Sequence, residues 1–128
     1  VPVASEDDAR ATAKALARYG PERVTVLHVV EKGDGVPDKT PVEQSEQIAN
    51  EAFAAFRETL PDAEDRVTYG RDVVNEVSSV AASVEASAIA FRPRESGRLT
   101  KFLSGDRSLR LVTDANCPVV SLPDPENA

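Results

Sequence analysis

Apolar residues recur along the chain in two rhythms, and each change of rhythm marks a boundary between elements. Val24-Thr25-Val26-Leu27-His28-Val29-Val30 is β-branched and nearly uninterrupted, the pattern of a strand covered on both faces. Shorter apolar runs at Arg66–Tyr69, Ser87–Phe91 and Pro118–Leu122 predict three more strands, the last blocked by Pro123 and Pro125. Val1 to Ala4 reads as the carboxyl end of a fifth, buried strand. Between these runs the spacing becomes helical. Ala9, Ala13, Leu16 and Ala17 share a face of a helix reaching about Tyr19, stopped by Gly20-Pro21; Ala49, Ala52, Phe53, Phe56 and Leu60 do the same before Pro61. Val73, Val77, Val80, Ala81 and Val84 describe a third face, in which burial must override the mediocre helix propensity of valine. A last helix is predicted from near Gly105 to Asp114, with Leu109 and Val112 turned inward.

Polar positions sharpen these limits. Ser5 followed by Glu6, Asp7 and Asp8 offers side-chain oxygen and negative charge to the orphan amides of a helix start. Thr40, Pro41 and Glu43 form a second capping signature, and Glu31 to Lys39, with Gly33, Asp34, Gly35 and Pro37, reads as a loop. The order β-α-β-α-β-α-β-α-β implies an α/β fold: a mostly parallel sheet, right-handed crossovers and helices on both faces. Ligands of such sheets lie beyond the carboxyl ends of the strands, where strand order reverses. The turn after Ala4 and the loops after Val30 and Phe91 should therefore converge.

Composition narrows the class. The length of 128 residues fits one domain spanning 1–128. Hydrophobic residues at 41% and charged residues at 29% support a packed core. The net charge of −7 argues against nucleic-acid binding and against anionic lipid. With Cys117 the only cysteine and His28 the only histidine, no intrachain disulfide and no cluster of soft metal ligands can form. A Ser-His-Asp or Cys-His centre would need His28, which sits inside a strand. No run approaches ~18 consecutive apolar residues and no leader pattern opens the chain, so the expectation is a soluble, cytoplasmic protein without membrane insertion. Arginine outnumbers lysine 11 to 4 and acids are spread throughout, which also fits adaptation to high salt. The absence of methionine and the abrupt Val1-Pro2-Val3-Ala4 opening suggest that preceding residues are missing.

Four features together resemble one family. Leu27-His28-Val29-Val30 closing the second strand, the Val-Pro-Val opening, the late loop and helix leading to Cys117-Pro118-Val119-Val120, and the element order are similar to the universal stress proteins of the UspA type. The similarity covers essentially the whole chain. It implies an open five-stranded parallel sheet of order 3-2-1-4-5, of the adenine nucleotide alpha hydrolase-like or Rossmann-like kind. It also implies frequent homodimerisation through the last strand, here Val119, Val120 and Leu122, and roles in stress tolerance or regulation. Some members bind ATP and others do not.

The nucleotide-binding branch of that family carries an Asp ending the first strand and a loop G-x2-G-x9-G-[S/T] after the fourth. With Gly105 on the last glycine, Arg92 and Glu95 occupy the first two glycine positions, Asp106 the hydroxyl position and Ala4 the Asp position; a shortened loop would use Gly97 instead. Glycines let a backbone approach phosphate closely, which Arg92 and Glu95 obstruct, and Asp106 at a helix start can take the amides that would hold phosphate. Against this, Arg92 to Arg110 contains six basic residues (Arg92, Arg94, Arg98, Lys101, Arg107, Arg110) and two acids (Glu95, Asp106), and arginines grip anions well. The bland account is pairing with carboxylates on neighbouring helices or on a second subunit.

The residues therefore support a non-catalytic stress-response or regulatory domain, homodimeric, without cofactor, acting through protein contacts. A vestigial nucleotide site would comprise Val29, Val30, Arg92, Arg94, Arg98, Gly105 and Asp106. Two alternatives stay open: an ATP- or AMP-binding switch in which arginines replace the glycine loop, and a soluble regulatory domain of a larger transporter. His28 is expected as a packed strand histidine, Cys117 as a small buried hydrophobe and Ser5 as a helix cap.

Overall fold

The computed structural model describes residues 1–31, 42–93 and 106–123. Helix α1 (Glu6–Ala17) starts where Ser5 stays extended and its hydroxyl accepts from the Asp8 amide at 3.3 Å, as the capping pattern requires. It closes at Gly20, whose φ of +59° is a left-handed conformation that glycine adopts without strain. Strand β1 (Thr25–Glu31), helix α2 (Val42–Arg57), strand β2 (Glu64–Gly70), helix α3 (Val73–Ser83), strand β3 (Ile89–Phe91), helix α4 (Asp106–Asp114) and strand β4 (Val119–Ser121) follow. The capping group at Thr40 and Pro41, the Gly33–Asp38 loop and Pro125 lie outside the described residues.

The strands pair in parallel as two ribbons, β1 with β2 from Thr25–Glu64 to Glu31–Gly70, and β3 with β4 from Ile89–Val119 to Phe91–Ser121. Among the described residues the strands form two two-stranded sheets, and Pro2 adds an isolated parallel bridge to Leu27. Val1–Ala4 runs between them and joins β1 alone, with Leu27 donating to Val1 O and accepting from Val3 N, both at 2.8 Å. In a parallel ladder alternate residues turn their polar groups to opposite neighbours, so Pro2 and Ala4 face β3. Pro2 has no N–H to give, and the Ala4 N–H is taken by Asp8 Oδ2 at 2.8 Å. Neither donor remains for β3.

Alternation along β1 sorts the core into two layers. Val3, Val26 and Leu122 pack with Phe53 and Phe56 of α2 and Ala9, Ala13 and Leu16 of α1. On the opposite face Leu27, Val29, Ile89 and Phe91 meet Val73, Val74, Val77 and Val80 of α3 and Leu111 of α4. Helices thus cover both faces, and burial overrides the propensity of the valine-rich α3. The phase predicted for α4 is wrong: Leu111 is fully buried, while Leu109 and Val112 are 62% and 55% exposed. At ~100° per residue Leu109 lies ~200° from Leu111, so the two cannot share a face. Leu122, expected at the pairing edge, is spent in the α1–α2 layer instead, and Val120 is the exposed apolar group of β4.

Candidate functional site

The carboxyl ends of the segment 1–4 and of β3 meet the start of α1, and one carboxylate joins all three. Asp8 lies in the first turn of α1 on the face that buries Thr12 and Leu16. Its Oδ2 accepts the Ala4 amide, and its Oδ1 accepts from Nη2 of Arg92, the residue after β3, at 3.1 Å. The Arg92 and Asp8 side chains are 8% and 5% exposed, so this is a buried ion pair. Arg92 Nε, also buried, has no hydrogen-bond partner among the described residues.

The same stretch of backbone is gripped from its other side. Buried His28 lies 3.0 Å through Nδ1 from the Val3 carbonyl. A carbonyl only accepts, so Nδ1 carries the proton. Burial pushes the imidazole below its ordinary 6.5, opposed by this same bond. The peptide between Val3 and Ala4 is thus held by imidazole at its C=O and by carboxylate at its N–H.

Two further pairs span the rim. Arg107 of α4 meets Glu31 at the end of β1. Arg110 meets Asp72 at 2.7 Å, while Asp72 caps α3 by accepting from the Asn75 amide at 3.3 Å. The Arg110 guanidinium, followed by the cap bond, holds the Asp72 carboxyl below the usual range. Each described arginine of the basic stretch, Arg92, Arg107 and Arg110, therefore faces a carboxylate from a different element.

Of the residues singled out from sequence, Val29 is buried against α3, Val30 is half-buried at the strand end, and Asp106 opens α4 in an exposed position. Arg94, Arg98 and Gly105, with Glu95 and Gly97, lie outside the described residues. Cys117 is half-buried against the α3–α4 layer. The group that sequence reasoning missed is Asp8, counted only as a helix-start charge. Its signal was positional: residues 8, 12 and 16 fall on one helical face, so an acid stands on an otherwise inward stripe.

The one imidazole faces a backbone carbonyl, with no hydroxyl or thiol hydrogen-bonded to it among the described residues. Among the described residues no three His, Cys, Asp or Glu side chains gather as a metal site, and no helix is long and apolar enough to cross a membrane.

The family model of the universal stress proteins matches residues 1–123. The chain belongs to the universal stress protein family. Solved members share its fold at low identity. The universal stress protein from Archaeoglobus fulgidus is 22% identical over 95% of this chain and 96% of its own, with a TM-score of 0.68. A structure of the A. fulgidus universal stress protein in complex with dAMP is 21% identical over 95% of both chains, with a TM-score of 0.65. UspA from Lactobacillus plantarum is 22% identical over 96% of this chain and 94% of its own, with a TM-score of 0.64. No curated protein sequence gives a significant match. In this universal stress protein the pair Asp8–Arg92 stands where the ends of the segment 1–4 and of β3 meet the start of α1.

Proposed function

We propose that this universal stress protein is a non-catalytic regulatory domain whose end-of-strand crevice is closed by its own ion pair. The observation that carries this reading is the buried Asp8–Arg92 contact at 3.1 Å with the Ala4 amide bonded to the same carboxylate. A nucleotide phosphate arriving there meets a carboxylate that already engages both the guanidinium and the nearest backbone donor. Two like unit charges ~4 Å apart repel by about 1 to 4 kcal/mol at effective dielectrics of 80 to 20. The domain then acts through surfaces instead of turnover. As one 1–128 unit it follows the strand order 3-2-1-4-5 and dimerises along β4, where Val120 is 44% exposed. Titration calorimetry with Mg-ATP, AMP, dAMP and cyclic nucleotides tests the reading. No heat at tens of micromolar ligand is expected, and micromolar binding overturns it. Sedimentation giving only a 13.7 kDa species overturns the dimer.

A second reading has two observations in its favour. The A. fulgidus relative is described in complex with dAMP, and Arg92 keeps a buried Nε donor without a partner among the described residues. In that reading Arg92 leaves Asp8 and binds phosphate, and the loss of binding in Arg92→Met identifies it.

A further inference from the structure

Helix α4 carries its polarity the wrong way round. At ~100° per residue, Arg107, Arg110 and Leu111 fall within a stripe about 100° wide. That stripe faces the body of the protein: Leu111 is fully buried, Arg107 meets Glu31 of β1, and Arg110 meets Asp72 ahead of α3. The other side presents Leu109 and Val112, both more than half exposed. An amphipathic surface helix ordinarily turns its apolar residues inward and its charges to water. Leu111 is the one buried side chain of α4, whereas α1 buries six and α3 four.

Local forces do not fasten that orientation. A helix of 9 residues is too short to stand by propensity alone, and its last turn holds Asp114 and no base, against the helix dipole. Leu111 and the two ion pairs hold the seat. Side-chain exposure is 32% and 45% in Arg107–Glu31 and 44% and 34% in Arg110–Asp72, so each pair contributes little and is screened by salt. A roll of ~130° about the helix axis exchanges Leu111 for Leu109 and Val112. It gives up one buried leucine and two exposed pairs, and it gains one buried leucine and one buried valine. A valine and two such pairs are of similar size, so the two seatings lie close in free energy. Space for the exchange is present: a groove of about 100 Å³ lies between Ser78, Ala81 and Ala82 of α3 and the Asn116–Cys117 turn, about one helical turn beyond Val112.

We propose that α4 is a two-position switch set by ionic strength. In the seated position it shows an apolar pair to solvent and keeps Arg107 and Arg110 on Glu31 and Asp72. In the rolled position it buries Leu109 and Val112, releases Leu111 and turns both arginines to solvent beside the strand ends. The domain thereby trades an apolar contact surface for a basic one while both strand ribbons stay folded. Rising salt favours the rolled position because it weakens the ion pairs and leaves apolar burial in force. The switch is independent of whether the crevice at Asp8 and Arg92 takes a nucleotide.

Thiol labelling of the whole chain separates the positions. Leu109→Cys and Leu111→Cys are each made in a Cys117→Ser background, and the rate of reaction with a maleimide is followed from about 10 mM to about 1 M KCl. A tenfold shift in the equilibrium, from about one rolled molecule in ten to about one in two, speeds labelling at position 111 about fivefold and slows it at position 109 about twofold. Arg107→Gln with Arg110→Gln produces the same two changes at low salt and removes the salt response. Since Leu111→Cys itself weakens the seat, Leu109→Trp gives a second reading: the chain has no tryptophan of its own, and the emission of this one shifts to the blue as salt rises. Rates that neither salt nor the double variant changes overturn the proposal. So does faster labelling at both positions, which is detachment of α4, or slower labelling at 109 alone, which is cover by a second copy of the chain.

Discussion

Replacing either member of the Asp8–Arg92 pair separates a sealed crevice from an incidental contact. At 3.1 Å two unit charges attract by about 5 kcal/mol at an effective dielectric of 20. Desolvation of both ions offsets much of this, so the pair as a whole adds little over an apolar replacement of equal volume. Losing one partner is a different perturbation, because it strands the other charge in the interior. Arg92→Met or Asp8→Leu is therefore expected to destabilise by about 3 to 5 kcal/mol. For a chain of this length that is a fall in Tm of roughly 10 to 20 °C. Asp8→Leu also orphans the Ala4 amide and should be the worse of the two. The double variant should recover part of the loss, giving a coupling energy of about 2 to 3 kcal/mol in urea denaturation at pH 7. Single losses under about 1 kcal/mol, or coupling under about 0.5 kcal/mol, would refute the reasoning.

Three further expectations rest on other contacts. His28 has a folded pKa below its unfolded 6.5, so the unfolded chain binds its proton first. Its contribution is complete above pH 6.5 and is lost as pH falls through the folded value, with a slope of up to about 1.4 kcal/mol per pH unit; urea titrations from pH 8 to 5 should lose that segment in His28→Gln. Leu111→Ala should cost about 2 to 5 kcal/mol, whereas Leu109→Ala and Val112→Ala should stay within about 0.5 kcal/mol, and the reverse ranking in thermal melts contradicts the phase of α4. Asp72→Ala should destabilise by about 1 kcal/mol through the lost cap; Asp72→Asn keeps the cap, loses the Arg110 attraction and with it part of the salt dependence seen in denaturation curves.

Much of the local architecture was legible because it follows from periods of two and 3.6 residues and from capping chemistry. Ser5, the inward phenylalanines of α2, the valine face of α3 and the covered run at Val24–Val30 all appear where the spacing put them. The α4 phase was not legible. In a nine-residue helix with Leu109, Leu111 and Val112, the apolar pattern admits more than one face, and only packing in the layer shared with α3 selects Leu111. The basic stretch gave its sign but not its partners: Arg92, Arg107 and Arg110 meet Asp8, Glu31 and Asp72 across 84, 76 and 38 positions.

What the sequence by itself determined is the set of elements, their order and the family, since each rests on residues close together in the chain. Tertiary structure alone decided that Asp8 is a buried bridge and not a surface cap, and that it takes the Ala4 amide. The physical reason is that a hydrogen-bond donor or a charge acquires its role from the partner that folding brings to it. Those partners here come from strands and helices far along the chain.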